Sequence, residues 1–178
     1  VIQINDKSFE VFIRENELQE KIKTLAARIN DEYQGKEVIF IAILNGAFMF
    51  AADLLKSITL PCEISFVKVS SYHGGMSTTG RVDELIGLNA SIENKEVIIL
   101  EDIVDTGITI DKIITLLKAE SPASVKVCTL LYKPDAFKGK KAPELVGMSI
   151  PNKFVVGYGL DYDEKGRNLR EIYQLKED

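Results

Sequence analysis

The chemistry in this chain is concentrated in one stretch, Val97-Ile98-Ile99-Leu100-Glu101-Asp102-Ile103-Val104-Asp105-Thr106-Gly107-Ile108-Thr109. An apolar run ends in two adjacent carboxylates, Glu101 and Asp102. A third, Asp105, follows just before a short turn. Carboxylates at the end of a buried strand serve no packing purpose, and burying them is costly unless a cation or hydroxyls meet them. Residues Asp105, Thr106, Gly107, Ile108 and Thr109 offer successive backbone N–H groups, two hydroxyls and a helix N-terminus, which is the makeup of a phosphate cradle. Together these groups ask for a ligand with vicinal hydroxyls, a phosphate and a divalent metal, and a sugar phosphate satisfies all three. The plainer alternative is that Asp105 and Thr106 only cap the helix. That accounts for Asp105 but not for Glu101 and Asp102. Two other phosphate-binding schemes are excluded: the chain has neither Gly-x-x-x-x-Gly-Lys-[Ser/Thr] nor Gly-x-Gly-x-x-Gly after a strand.

Such a segment needs a sheet to hold it. Leu18, Ile22, Leu25, Ile29 and Tyr33 recur at helical spacing and predict a helix over 15–33, stopped by Gly35. Val38-Ile39-Phe40-Ile41-Ala42-Ile43-Leu44 reads as a strand buried on both faces. A helix over 47–58 and a strand over 63–70 follow. Residues 71–81 hold the only histidine, His73, among glycines and read as a loop. Then come a strand over 96–100, a helix over 106–119, and strands over 125–132 and 153–157. Strands alternating with helices predict an α/β fold with a mostly parallel central sheet flanked by helices. One domain over 1–178 is expected. Its core covers about 15–134, and a small hood built from 1–14 and 135–178 lies over the sheet's carboxyl edge, where ligands of such sheets bind.

Composition narrows the partners. A formal net charge of −5 opposes the basic face that nucleic-acid binding needs, so none is expected. No apolar run is long enough to cross a bilayer, and no secretory signal is visible, so no membrane partner is expected. Cys62 and Cys128 lie in or beside apolar runs and read as reduced, buried thiols, which suits the cytoplasm.

The acidic pair followed by Asp-Thr-Gly-x-Thr resembles the type I phosphoribosyltransferases, in which this motif binds 5-phosphoribosyl-1-pyrophosphate. Four further pieces resemble the hypoxanthine-guanine branch of that family. They are Leu44-Asn45-Gly46 after the first long strand, Ser71-Tyr72 at the start of the loop, Tyr132-Lys133-Pro134-Asp135, and Lys153-Phe154-Val155-Val156-Gly157-Tyr158-Gly159-Leu160-Asp161-Tyr162 with Arg167 beyond it. The resemblance spans roughly 10–175.

It implies transfer of the phosphoribosyl group to N9 of a 6-oxopurine, with Mg²⁺ as cofactor, and a homodimer or homotetramer. Glu101 and Asp102 would hold the ribose hydroxyls, and Asp105, Thr106, Gly107, Ile108 and Thr109 the 5′-phosphate. Asp105 would also serve as general base near N7. Leu44, Asn45, Gly46, Ser71, Tyr72 and Arg167 would bind pyrophosphate. Lys133 would donate to O6, Phe154 would stack on the base, and the Val155 carbonyl and backbone near Asp161 would meet a 2-amino group. Glu101, Asp102 and Asp161 would be the metal's carboxylates. A cis peptide at Leu44–Asn45 is also implied. Asn45 departs from the lysine or arginine common in this loop; because the loop binds mainly through backbone, activity is expected to persist.

Other readings stay open. The base could be xanthine alone, whereas Lys133 and Phe154 oppose adenine and pyrimidines. A non-catalytic nucleotide-binding regulator is opposed by Asp105, Lys133 and Asp161. A metal-dependent phosphatase would want an aspartate after the first long strand, where Leu44-Asn45 supplies none.

Overall fold

The computed structural model of the chain describes residues 1–71 and 82–176. In order, the elements are β1 (Ile2–Ile4), β2 (Lys7–Ile13), α1 (Glu15–Glu32), β3 (Val38–Leu44), α2 (Phe48–Leu55), β4 (Cys62–Ser71), β5 (Val82–Ile86), β6 (Glu96–Val104), α3 (Ile108–Lys118), β7 (Ser124–Tyr132), β8 (Leu145–Ser149), β9 (Val155–Val156) and β10 (Ile172–Leu175).

Among the described residues the strands form two sheets. The larger has the order β5-β4-β3-β6-β7-β8 and is parallel except for β5, which pairs antiparallel with β4. The apolar run of β3 lies between β4 and β6, which explains why it lacks alternation. Phe40 and Ala42 face α1 and α2, packing with Leu18, Ile22, Ala26, Phe50 and Leu54. Ile39, Ile41 and Ile43 face α3, packing with Ile110, Ile113 and Leu117. Each of these buried Leu, Ile and Phe side chains contributes about 1.5–3 kcal/mol. The chain leaves β3 for β4 on one side, then returns to β6 on the other. The loops after β3 and β6 therefore diverge, and the crevice between them is the expected ligand site of such a sheet.

The hood is an antiparallel sheet of order β1-β2-β10-β9 around Ile4, Phe9 and Val156. Its boundary differs from the expected one. The strand expected over 153–157 shrinks to Val155–Val156 and belongs to the hood, whereas the core sheet gains Leu145–Ser149. That strand lies at the sheet's edge and has little apolar alternation. At its centre is Gly147, where a Cβ would stand 2.7 Å from the Leu130 carbonyl oxygen. The thiol reading changes for one residue: Cys128 is buried, but Cys62 at the start of β4 is exposed.

Candidate active site

The strand carrying the acidic pair is longer than expected. Instead of ending at Leu100, β6 continues to Val104, although β3 accompanies it only to Leu100. Beyond that point only β7 pairs with it, which opens room beside Glu101 and Asp102. Side-chain alternation also slips there. Ile98 and Leu100 pack with the α1 side and Val97 and Ile99 with the α3 side, yet Ile103 joins the former and Val104 the latter.

Glu101 is buried and lines an open pocket of about 120 Å³ together with Ile103, Val104, Asp105, Thr106, Gly107, Thr109 and Ile110. Burial, then the neighbouring Asp102 charge, pushes its carboxyl well above the usual range. Burial also raises Asp102 to about 6, with the charge of Asp161 adding to the effect. The Ile103 N–H donates to Asp102 Oδ1 at 2.8 Å and acts in the opposite direction, as does Arg167.

The turn expected as a cradle lies directly before α3. Gly107 precedes α3 at φ +80, and among the described residues no side chain caps the helix. The closest approach is the Ile108 N–H, 3.5 Å from Thr106 Oγ1. Helix capping therefore does not explain Asp105, which instead faces Lys133. The Lys133 ammonium donates to Asp105 Oδ2 at 2.8 Å; Lys133 is only 6% exposed, while the Asp105 side chain remains 45% exposed. Backbone bonds lock the two loops together, from Lys133 N–H to the Val104 carbonyl at 3.0 Å and from Lys138 N–H to that of Thr106 at 2.9 Å. Phe137 was not anticipated from the sequence. A Cβ at Gly107 would lie 2.2 Å from its ring, and the ring meets Tyr132 edge-on at 5.5 Å. Its position after the Lys133-Pro134-Asp135 motif was the available signal.

The other flank is built from the β3 loop and a hood turn. The Leu44–Asn45 peptide is cis. A Cβ on Gly46 would lie 1.8 Å from Asp102 Oδ2, and one on Gly159 would lie 2.1 Å from the Gly46 carbonyl oxygen. The 44–46 loop is thus pressed between the acidic segment and the hood. Arg167 donates from Nη1 to the Gly159 carbonyl at 3.0 Å, and its Nη2 lies 2.9 Å from Asp161 Oδ1 and 3.2 Å from Glu164 Oε2. Its Nε is buried without a partner among the described residues. Ser71 ends β4 opposite Val82, while Tyr72, His73 and the rest of 72–81 lie outside the described residues.

Phe154 is 45% exposed in the hood. Its ring lies 6.2 Å from Phe9 and 5.7 Å edge-on from Tyr162. Val155 is buried and pairs with Gln174. Among the described residues no three His, Cys, Asp or Glu side chains converge as a metal cage, so Glu101, Asp102 and Asp161 do not form one on their own.

A parallel sheet with a helix-terminus cradle beside an acidic pair at its carboxyl edge, under a small antiparallel hood, defines a phosphoribosyl-transferring enzyme class. The profile of the phosphoribosyl transferase domain matches residues 14–163, and the chain belongs to that family. Relatives narrow the comparison. The hypoxanthine-guanine phosphoribosyltransferase of Staphylococcus aureus (strain Mu50 / ATCC 700699) is 46% identical over 167 residues, covering 94% of this chain and 93% of the relative. A crystal structure of the Bacillus anthracis hypoxanthine-guanine phosphoribosyltransferase, holding HEPES in its active site, superposes with a TM-score of 0.85 at 38% identity, covering 96% of this chain and 99% of that one. A crystal structure of a hypoxanthine phosphoribosyltransferase from Staphylococcus aureus gives 0.85 at 44% identity, covering 97% and 93%.

Proposed function

We propose that this chain transfers the 5-phosphoribosyl group of phosphoribosyl pyrophosphate to N9 of a 6-oxopurine, hypoxanthine or guanine. The products are IMP or GMP and pyrophosphate, a purine-salvage reaction. The observation that carries this reading is the buried Lys133 ammonium paired with Asp105 at the mouth of the phosphate cradle. A buried ammonium, which donates but cannot accept, suits a carbonyl such as O6 and mismatches an exocyclic amine.

Each group then has a task. The α3 N-terminus and the hydroxyls of Thr106 and Thr109 hold the 5′-phosphate, together with the backbone of Gly107 and Ile108. Glu101 and Asp102 hold the ribose hydroxyls. Lys133 fixes O6, Phe154 stacks on the base, and the Val155 carbonyl accepts from a 2-amino group. As N9 bonds to C1 of the ribose, the bond from C1 to pyrophosphate breaks, and Asp105 takes up the proton released from the purine at N7. The backbone of Leu44, Asn45 and Gly46, the Arg167 fork and Ser71 receive the pyrophosphate charge.

Mg²⁺ fits this donor set. It commonly binds one or two carboxylates and fills its shell with water and substrate phosphates. The mutually repelling Asp102 and Asp161 are such a pair, and Glu101 lies beside Asp102. When bound, the ion would neutralise charge on the leaving pyrophosphate.

A homodimer or homotetramer is part of the same proposal. It is supported by exposed Ile64 and Phe66, which share one face of β4 beside Phe40 and Ala42. No described helix is long and apolar enough to cross a membrane. The two free thiols support a cytoplasmic location.

The test is incubation with phosphoribosyl pyrophosphate, Mg²⁺ and each of hypoxanthine, guanine, xanthine and adenine. Nucleotide should form from the first two. No product from any base ends the proposal, and product mainly from adenine ends the assignment of Lys133.

A further inference from the structure

Behind the 44–46 loop, a polar cluster ties α1, α2 and the hood together. We propose that Asp53 and Tyr158 are positioning residues for this loop, forming a strut that sets its affinity for the pyrophosphate end of the substrate. The inference rests on the assignment of that loop to pyrophosphate.

The cluster is well connected. Tyr158 is buried, and its hydroxyl donates to Asp53 Oδ2. Gln19 Nε2 donates to the same oxygen at 2.8 Å, and Lys56 Nζ to Oδ1 at 2.8 Å. Burial would raise the Asp53 carboxyl, but the bonds from Lys56, Tyr158 and Gln19 outweigh it and hold the group below its ordinary value. Asp53 is therefore a charged acceptor, and the bond from Tyr158 is of the stronger, charge-assisted kind.

The contacts close into a ring around the loop. The loop leads directly into α2, with the Ala47 N–H bonded to the Ile43 carbonyl at 3.2 Å and that of Phe48 to Asn45 at 3.4 Å. Asp53 lies further along the same helix. From Asp53 the path crosses to the Tyr158 hydroxyl and enters the Gly157–Leu160 turn, closed by reciprocal bonds of 3.0 and 3.1 Å. It returns through Gly159, whose backbone presses on the Gly46 carbonyl. Gly157, Tyr158 and Gly159 all have positive φ, of +104, +50 and +100. A bulky aromatic is disfavoured there, so the tyrosine is held by what its side chain reaches. Without that bond, the turn that backs Gly46 is tied to α2 only by packing.

Tyr158→Phe keeps the ring and removes the bond. The expected result is a rise of about tenfold in KM and in the calorimetric Kd for phosphoribosyl pyrophosphate with Mg²⁺, while kcat and the hypoxanthine KM stay within twofold. Asp53→Leu should match it. Asp53→Asn, which keeps an acceptor oxygen for the tyrosine, should recover most of the loss. The double variant Tyr158→Phe/Asp53→Leu should be no worse than either single one. Unchanged phosphoribosyl pyrophosphate affinity in Tyr158→Phe, or an equal rise in both KM values, overturns the inference. If Tyr158→Phe does not fold, the Asp53 variants decide, and equal losses in Asp53→Asn and Asp53→Leu overturn it. An unsubstituted chain that fails to bind phosphoribosyl pyrophosphate overturns the loop's assignment and the strut with it. Binding that is equal with and without the strut overturns the strut alone.

Discussion

Lys133→Met replaces a buried ammonium with a thioether of similar length and should separate stability from specificity. Lys133 is 6% exposed, whereas the Asp105 side chain it meets at 2.8 Å is 45% exposed. Removing one member of a buried ion pair typically costs about 3–5 kcal/mol because a charge is stranded away from water. Here the member removed is the desolvated one, and the carboxylate left behind can reach solvent. The stability change should therefore lie within about 1 kcal/mol of zero. Turnover should respond very differently. A hydrogen bond from a charged donor is worth about 1.5–3 kcal/mol, which corresponds to a loss of about 10- to 150-fold in kcat/KM for hypoxanthine and guanine. Affinity for phosphoribosyl pyrophosphate should be nearly unaffected. Urea unfolding, initial rates with both bases and calorimetry with phosphoribosyl pyrophosphate measure the three quantities. A stability loss above about 3 kcal/mol, or parallel losses in base and phosphoribosyl pyrophosphate binding, would refute the reasoning. Lys133 would then brace the fold rather than read the base.

Two further outcomes follow from the geometry. Gly107→Ala places a methyl 2.2 Å from the Phe137 ring at φ +80, so it should lower stability by about 1–2 kcal/mol and raise the KM for phosphoribosyl pyrophosphate; adding Phe137→Leu should restore part of both, and wild-type melting and kinetics would contradict this. Hydrogen bonds from Lys36 and then Ser124 hold the Glu96 carboxyl below its ordinary value, so that stability is present above the usual carboxylate pKa and is lost as pH falls through the lowered one. Glu96→Gln should cost about 0.5–1 kcal/mol near neutrality, with the gap closing in acid; a gap independent of pH in urea titrations would rule this out.

How much of this was legible depended on whether the signal was local. The all-apolar β3 and the periodic face of α1 announce themselves because burial on two faces or on one stripe dictates residue type directly. The Asp105–Thr109 turn is equally local, since one stretch of chain supplies its N–H groups and hydroxyls. Leu145–Ser149 was missed because an edge strand with a central glycine shows little alternation. The continuation of β6 through Glu101 and Asp102 was missed because polar residues in mid-strand read as its end. The Lys133–Asp105 pair joins loops after different strands, as do the contacts of Phe137 with Gly107 and of Asp53 with Tyr158. Such pairings exist only once the sheet has set its order.

That order has a consequence of its own. The loops carrying Gly46, Asp105 and Lys133 leave β3, β6 and β7, three neighbours in the sheet. Adjacent strands stand about 4.8 Å apart, so the outer two are separated by roughly 10 Å. In the proposed reading the sheet works as a ruler laid across the ligand, its graduations set by backbone hydrogen bonds. Side-chain replacement changes what each mark grips and leaves the spacing between marks alone. On the proposed assignment, divergence toward a new base can proceed at β7 and the hood, while the sugar-phosphate measure is inherited with the backbone.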